Sequence, residues 1–197
     1  MTEKEKMLAG KYYLGWDKEL MQERETTVNL LFDFNNTRPT LRKEREQMIK
    51  KLFQSTGESC WIESPFFCDH GYNISVGENF FAATNCVMLD CGKISIGNNV
   101  LIGPNVGIYT VNHAFDSKER SQGYEHSLPV NIGDDVWIGG NVSILGGVTV
   151  GSDSIIAAGS VVTKDIPSGV IAAGNPAKII REITEEDKIK NQYIKND

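Results

Sequence analysis

Histidine is the side chain whose ordinary titration falls near neutral pH, which suits it to take a proton from a weak nucleophile such as a hydroxyl. This sequence has three, His70, His113 and His126. His113 closes the stretch Tyr109-Thr110-Val111-Asn112-His113, directly before a polar segment, residues 114–129. A three-histidine zinc site would need closer convergence than the gap between His113 and His126 suggests. The four cysteines, Cys60, Cys68, Cys86 and Cys91, form no C-x-x-C pair, and they read as reduced thiols rather than as a metal or disulfide framework. No metal is expected.

A base needs a rigid support, and the sequence supplies one by repetition. From Ile132 an aliphatic residue returns every sixth position, through Ile138, Ile144, Val150, Ile156 and Val162. Small or β-branched residues (Val136, Val142, Val148, Ser154, Ser160) fill the fifth place of these units. A period of six is too short for any unit to bury its own apolar face, so the units must stack on one another. The expected fold is mainly β, a left-handed parallel β-helix. Three units then make one triangular coil, the aliphatic residue points inward and the small residue eases the corner. An earlier frame runs through Val76, Ala82, Met88 and Ile94, and a second starts two residues late at Ile96 and continues through Ile102 and Ile108. Segment 114–129 interrupts the period and is expected to protrude as a loop carrying binding residues.

The first part of the chain reads differently. Thr2-Glu3-Lys4-Glu5 has the form of a capping box, and Asp17 is placed to cap a second helix with Leu20, Met21, Val28, Leu31 and Phe32 on its apolar face. A third helix opens after Pro39, with Leu41, Arg45, Met48, Ile49, Leu52 and Phe53 along one side. The expected organisation is a helical cap over residues 1–56, the β-helix with its loop over 57–183, and a tail, 184–197, that is helical or frayed. Cap and tail would cover the open strand edges at the two ends.

Net charge is −6 and the pI about 5.2, which argues against nucleic acid as a partner. An anionic ligand must therefore meet a local basic cluster. There is no secretory signal and no apolar run long enough to span a membrane, so the expected location is cytoplasmic.

The repeat, the loop and Gly174-Asn175-Pro176-Ala177-Lys178 resemble the hexapeptide-repeat acyltransferases. Further stretches, Cys68-Asp69-His70-Gly71-Tyr72-Asn73-Ile74, Asn79-Phe80-Phe81-Ala82 and Val161 to Pro167 among them, resemble the maltose and galactoside O-acetyltransferase family, the maltose branch more closely. The resemblance covers about residues 1–183. It implies transfer of an acetyl group from acetyl-CoA, a co-substrate, to a hydroxyl of a small sugar, in a homotrimer with sites between subunits. His113 would be the catalytic base and Glu125 its orienting partner or an acceptor contact. Relatives carry asparagine where this chain has Ala83; Asn85, two residues on, is expected to point the same way and stand in. Gly103, Gly140 and Ala158 would leave a groove for the pantetheine arm, with Trp137 as one wall. Thr163, Lys164, Lys178 and Arg181 match positions that meet the CoA nucleotide and phosphates. Asp17, Arg24, Asp69, Phe81 and Asp90 are the acceptor-binding candidates. Cys91 replaces an acidic residue of the galactoside branch.

Other readings of the same scaffold are a xenobiotic or antibiotic O-acetyltransferase, a zinc hydratase of the γ-carbonic-anhydrase kind, and a non-catalytic CoA- or sugar-binding scaffold prompted by Ala83.

Overall fold

The computed structural model describes residues 1–189. The expectation for the end of the tail concerns residues outside that range. Within it, the aliphatic frames become the inside of a solenoid built from three parallel sheets. Val76, Ile96, Ile132 and Val150 stack in register on one side. Ile62, Ala82, Ile102, Ile138, Ile156 and Ala172 stack on the second, and Cys68, Met88, Ile108, Ile144 and Val162 on the third. All are buried and belong to one core. Each short strand exposes its alternate residue, as the two-residue period of a strand requires.

The corners are made by residues in the left-handed region. Asn79, Asn99, Asp135 and Asp153 lie at φ 54–58° at one corner. Asn85, Asn105 and Asn141 lie at φ 58–62° at the next. Asn and Asp tolerate this backbone better than other L-residues because their short polar side chains bond locally. Here they bond upward. The Asn79 amide donates to Asn99 at 2.9 Å, Asn99 to Asp135 at 2.9 Å, and Asn85 to Asn105 at 3.1 Å. Of the small residues of the fifth place, Val136, Val142 and Ser154 sit just after such positions and Val148 and Ser160 just after glycines at positive φ; all five are buried.

The two-residue slip between the frames is a wider corner at residues 89–93. Its centre is Asp90, whose carboxylate accepts backbone N–H groups from Asp69 at 3.0 Å, His70 at 2.8 Å and Asn73 at 3.3 Å. Asp90 is 0% exposed. The sequence reading placed it among the acceptor contacts. Burial and saturation by backbone donors give it a structural role instead.

Three helices precede the coils: α1 (Glu3–Leu8), α2 (Lys18–Asn36) and α3 (Arg42–Leu52). Thr2 forms the expected capping box on α1, and the Asp17 carboxylate accepts the N–H groups of Glu19 and Leu20 at the start of α2. The face of α2 differs from expectation. Leu20, Thr27, Leu31 and Phe34 are buried, whereas Met21, Val28 and Phe32 are exposed. The stripe turns because α2 covers a strand edge and must offer it polar groups. Asn35 donates to the Phe66 carbonyl and accepts from the Phe66 N–H, both at 2.9 Å, replacing the strand that the first coil lacks. Thr27 donates to the His70 carbonyl at 3.0 Å. Buried Arg45 donates to the carbonyls of Phe34, Thr37 and Ile62, fastening the C-terminal end of α2 to the first coil. At the far end, strand Ala177–Glu182 folds back antiparallel on Val170–Gly174.

The corner backbone yields a test. Asn105→Ala should destabilise the protein by about 1 kcal/mol more than Asn105→Gly, since both lose the ladder bond but only alanine is strained at positive φ. Chemical denaturation of the two variants measures the difference; equal losses would leave the corner conformation without an energetic role.

Candidate active site

Segment 114–129 does leave the solenoid. It contains a short helix, α4 (Ser117–Ser121), and returns as strand Tyr124–Ser127, which pairs antiparallel with Val111–His113. The N-terminal strand Tyr13–Leu14 adds to its other edge. Register places Tyr13 opposite Glu125 and Glu125 opposite His113. Directly opposed residues in antiparallel strands share a face, so the three side chains form one row. Glu125 Oε1 is 3.7 Å from His113 Nδ1, and Glu125 Oε2 accepts the Tyr13 hydroxyl at 2.9 Å. The His113 side chain is 60% exposed while Glu125 is buried. An accessible imidazole with a carboxylate 3.7 Å from one nitrogen is placed to act as a base whose charged form the carboxylate stabilises.

Beneath this row lies a small buried cluster of Met7, Tyr13, Leu20 and Cys91, against which Val111 packs. Cys91 donates to Asp69 Oδ2 at 3.4 Å and accepts from Arg24 Nη2 at 3.6 Å. Arg24 Nε lies 3.6 Å from Asp69 Oδ1. Burial, with Asp69 adding to it, pushes the Cys91 thiol up to about 12. Burial likewise pushes Cys60 to about 12 and Cys86 to about 11, and holds Cys68 well above its ordinary value. None of the four is a thiolate nucleophile near neutrality.

The remaining candidates are placed as follows. Asp17 is the N-cap of α2. Asn85 does not follow strand geometry, since residues 83–85 form a corner and its amide is bonded to Asn105. That corner lies between the second and third sheets, whereas His113 lies beyond the third, so within one chain the two are on different corners. Gly103 owes its missing side chain to stacking: a Cβ there would come within 2.6 Å of the Gly140 nitrogen in the next coil. Gly140 and Ala158 lie on the same corner. Thr163, Lys164 and Lys178 are exposed. Arg181 makes a two-pronged ion pair with Asp187, both contacts at 2.7 Å. Phe81 and Trp137 belong to a line of outward apolar residues on the second sheet. Trp61, Phe81, Leu101, Trp137, Ile155 and Ile171 succeed one another in register. Apart from Phe81 and Trp137, this line was missed in the sequence, because a reading that follows inward positions discards what lies between them. His126 stacks on Tyr12 with ring centroids 5.0 Å apart. Among the described residues no group of three His, Cys, Asp or Glu side chains converges to hold a metal ion, and no helix is long and apolar enough to cross a membrane.

Residues 6–57 match the maltose acetyltransferase hexapeptide capping motif, residues 93–112 the hexapeptide repeat of succinyl-transferase, and residues 129–164 the six repeats of the bacterial transferase hexapeptide. The galactoside O-acetyltransferase of Escherichia coli K12 is 42% identical over 192 residues, covering 98% of this chain and 94% of its own. The chain belongs to the maltose and galactoside O-acetyltransferase family. A maltose O-acetyltransferase from Clostridium difficile 630 superposes with a TM-score of 0.92 at 51% identity, over 94% of this chain and 99% of that one. A galactoside acetyltransferase in complex with coenzyme A gives 0.91 at 41%, over 95% and 94%. The solenoid is the left-handed parallel β-helix of these acetyltransferases, and this protein is an acetyltransferase of the same kind.

Acid should act on the acetyltransferase through His70, whose side chain is buried beside Tyr72 with Glu23, Asp69, Arg24 and Lys4 around it. Burial, helped by the Arg24 charge, lowers it to about 4. The unfolded chain then binds a proton between pH 6.5 and about 4 that the folded chain does not, so this contribution to stability is lost as pH falls through that window. Burial raises Asp90 to about 6, which works in the opposite sense between about 6 and 3.8. His70→Phe removes only the first effect. Its melting temperature should fall less than that of the wild type between about pH 6.5 and 4; parallel pH profiles would contradict the assignment.

Proposed function

We propose that this protein is an acetyl-CoA-dependent O-acetyltransferase that acetylates a hydroxyl of a small, maltose- or glucose-like sugar. The observation that carries this reading is the row formed by exposed His113 and buried Glu125 on the loop hairpin, in a chain whose relatives are named for maltose and galactoside acetylation. With Nδ1 turned to Glu125, Nε2 of His113 takes the acceptor proton. The hydroxyl oxygen then bonds to the thioester carbonyl carbon, and the tetrahedral intermediate collapses by breaking the carbon–sulfur bond. The proton on His113 passes to the departing CoA sulfur, leaving the base neutral. No acyl-enzyme forms, in keeping with four buried, protonated thiols. The Glu125 carboxylate stabilises the transient imidazolium.

Lys178, with Thr163 and Lys164, is assigned to the CoA phosphates, a local cationic site on a chain of net charge −6. Arg24 and Asp69, partly exposed beside Cys91, are assigned to sugar hydroxyls. Phe81 and Trp137 supply aromatic faces on the second sheet. In one chain these two sets lie apart, which supports a site completed by a neighbouring subunit. The line of outward apolar residues from Trp61 to Ile171 supports a trimer, because contiguous apolar surface of this extent marks an interface. The unpaired thiols support a reducing, cytoplasmic setting.

Release of CoA with a panel of sugars tests the reading. His113→Ala should lower kcat by roughly 10²–10⁴-fold. Wild type and variant that are equally inert while binding CoA would make the protein a scaffold. Lys178→Ala should raise the KM for acetyl-CoA more than that for dephospho-acetyl-CoA, and equal effects would remove it from the phosphate site. Light scattering should report three chains per particle, with a stable monomer as the contrary result.

A further inference from the structure

The cap meets the loop along strand Tyr13–Leu14, and one contact there bears on the chemistry. Tyr13 is 0% exposed and lies 112 residues from Glu125 in sequence, yet its hydroxyl donates to Glu125 Oε2 at 2.9 Å. The other carboxylate oxygen, Oε1, is the one that faces His113 Nδ1. A bond to one oxygen fixes the rotation of the carboxylate and so the direction of the other. Gly15 also lies against the carboxylate, since a Cβ there would stand 2.6 Å from it. Its N–H is itself tied to the Gly123 carbonyl at 3.0 Å.

We infer that Tyr13 is a positioning residue for acetyl transfer, aiming the Glu125 carboxylate at His113, and that Gly15 is bare so that the carboxylate can lie in that place. The assignment rests on the acetyltransferase reading with His113 as base. Burial, together with Cys91 and Glu125, raises the Tyr13 phenol far above its ordinary value, so the group is a permanent donor and does not titrate with the reaction. The N-terminal strand thereby serves the site as well as the fold. A buried tyrosine with no such task would need only some acceptor; this one meets the carboxylate whose second oxygen faces the base.

Turnover of acetyl-CoA with maltose as the probe acceptor provides the test, using full-length wild type, Tyr13→Phe, Gly15→Ala, Glu125→Gln and the double variant Tyr13→Phe/Glu125→Gln. Tyr13→Phe should lower kcat about tenfold or more and leave the KM for acetyl-CoA within about twofold, as expected for an interaction that acts on the base rather than on CoA. In the Glu125→Gln background the same change should have no further effect on kcat, because the carboxylate it aims is gone. A packing role would instead lower activity by the same factor in both backgrounds. Gly15→Ala, whose Cβ displaces the carboxylate, should reproduce the kcat loss with the phenol intact, and stands in should Tyr13→Phe fold poorly. Wild-type kcat in both Tyr13→Phe and Gly15→Ala, or full additivity in the double variant, overturns the role of Tyr13 alone, provided His113→Ala abolishes turnover. No turnover in the wild type with maltose or any other sugar of the panel, or turnover unchanged in His113→Ala, overturns the sugar acetyl-transfer reading and this assignment with it.

Discussion

Every coil must turn three times within about twenty residues, and at two of the three corners most coils turn through backbone that most L-residues avoid. The asparagine and aspartate ladders make this possible. Five of the seven side chains that accept the left-handed conformation, those of Asn79, Asn85, Asn99, Asn105 and Asp135, also bond to a counterpart in an adjacent coil, so a local strain is offset by contact along the stack. With the corners fixed, the inward positions fall into register and the core closes on Ile, Val and Met. With them loosened, the sheets would lose the alignment that the loop hairpin inherits. Catalytic geometry on this protein therefore begins at residues outside the loop hairpin.

The solenoid was legible because its signal is repeated. Ile132, Ile138, Ile144 and the rest each state the same fact, so the frame was readable from any part of the run. Its corners were read less well. The small fifth-place residues were taken to ease the bend, whereas the turn is made by the Asn or Asp that precedes them in most units, and the small residue only fits inside it. The break between Met88 and Ile96 was visible as a slip of two, but its cause, a buried Asp90 collecting three backbone donors, has no mark in spacing. Helix α2 misled for a related reason. Its apolar stripe suggested a face through Met21, Val28 and Phe32, while the position against the solenoid was decided by Asn35 and Thr27 meeting an unpaired strand edge.

The site was legible one residue at a time and not as an assembly. His113 and Glu125 were picked out through the family resemblance and their place around the loop. That they are cross-strand partners depends on a hairpin the hexapeptide period does not predict, since the period ends where the loop begins. Asn85 illustrates the same limit from the other side: alternation holds for strands, and a corner intervened. Tyr13 could not be read at all, because 112 residues, the rest of the cap and the first coils among them, separate it from its partner, and nothing in Lys11-Tyr12-Tyr13-Leu14 distinguishes a structural aromatic from one with a polar task.

The joining of the first strand to the last edge of the loop also fixes an order of events during synthesis. Tyr13 leaves the ribosome 112 residues before Glu125, and closing so long a span is entropically expensive until the intervening coils have shortened it. The nascent N-terminus must wait for the middle of the chain, and a product cut short before the loop would lack a completed centre. Competence is acquired late, when the beginning of the polypeptide finds the segment that follows its own base.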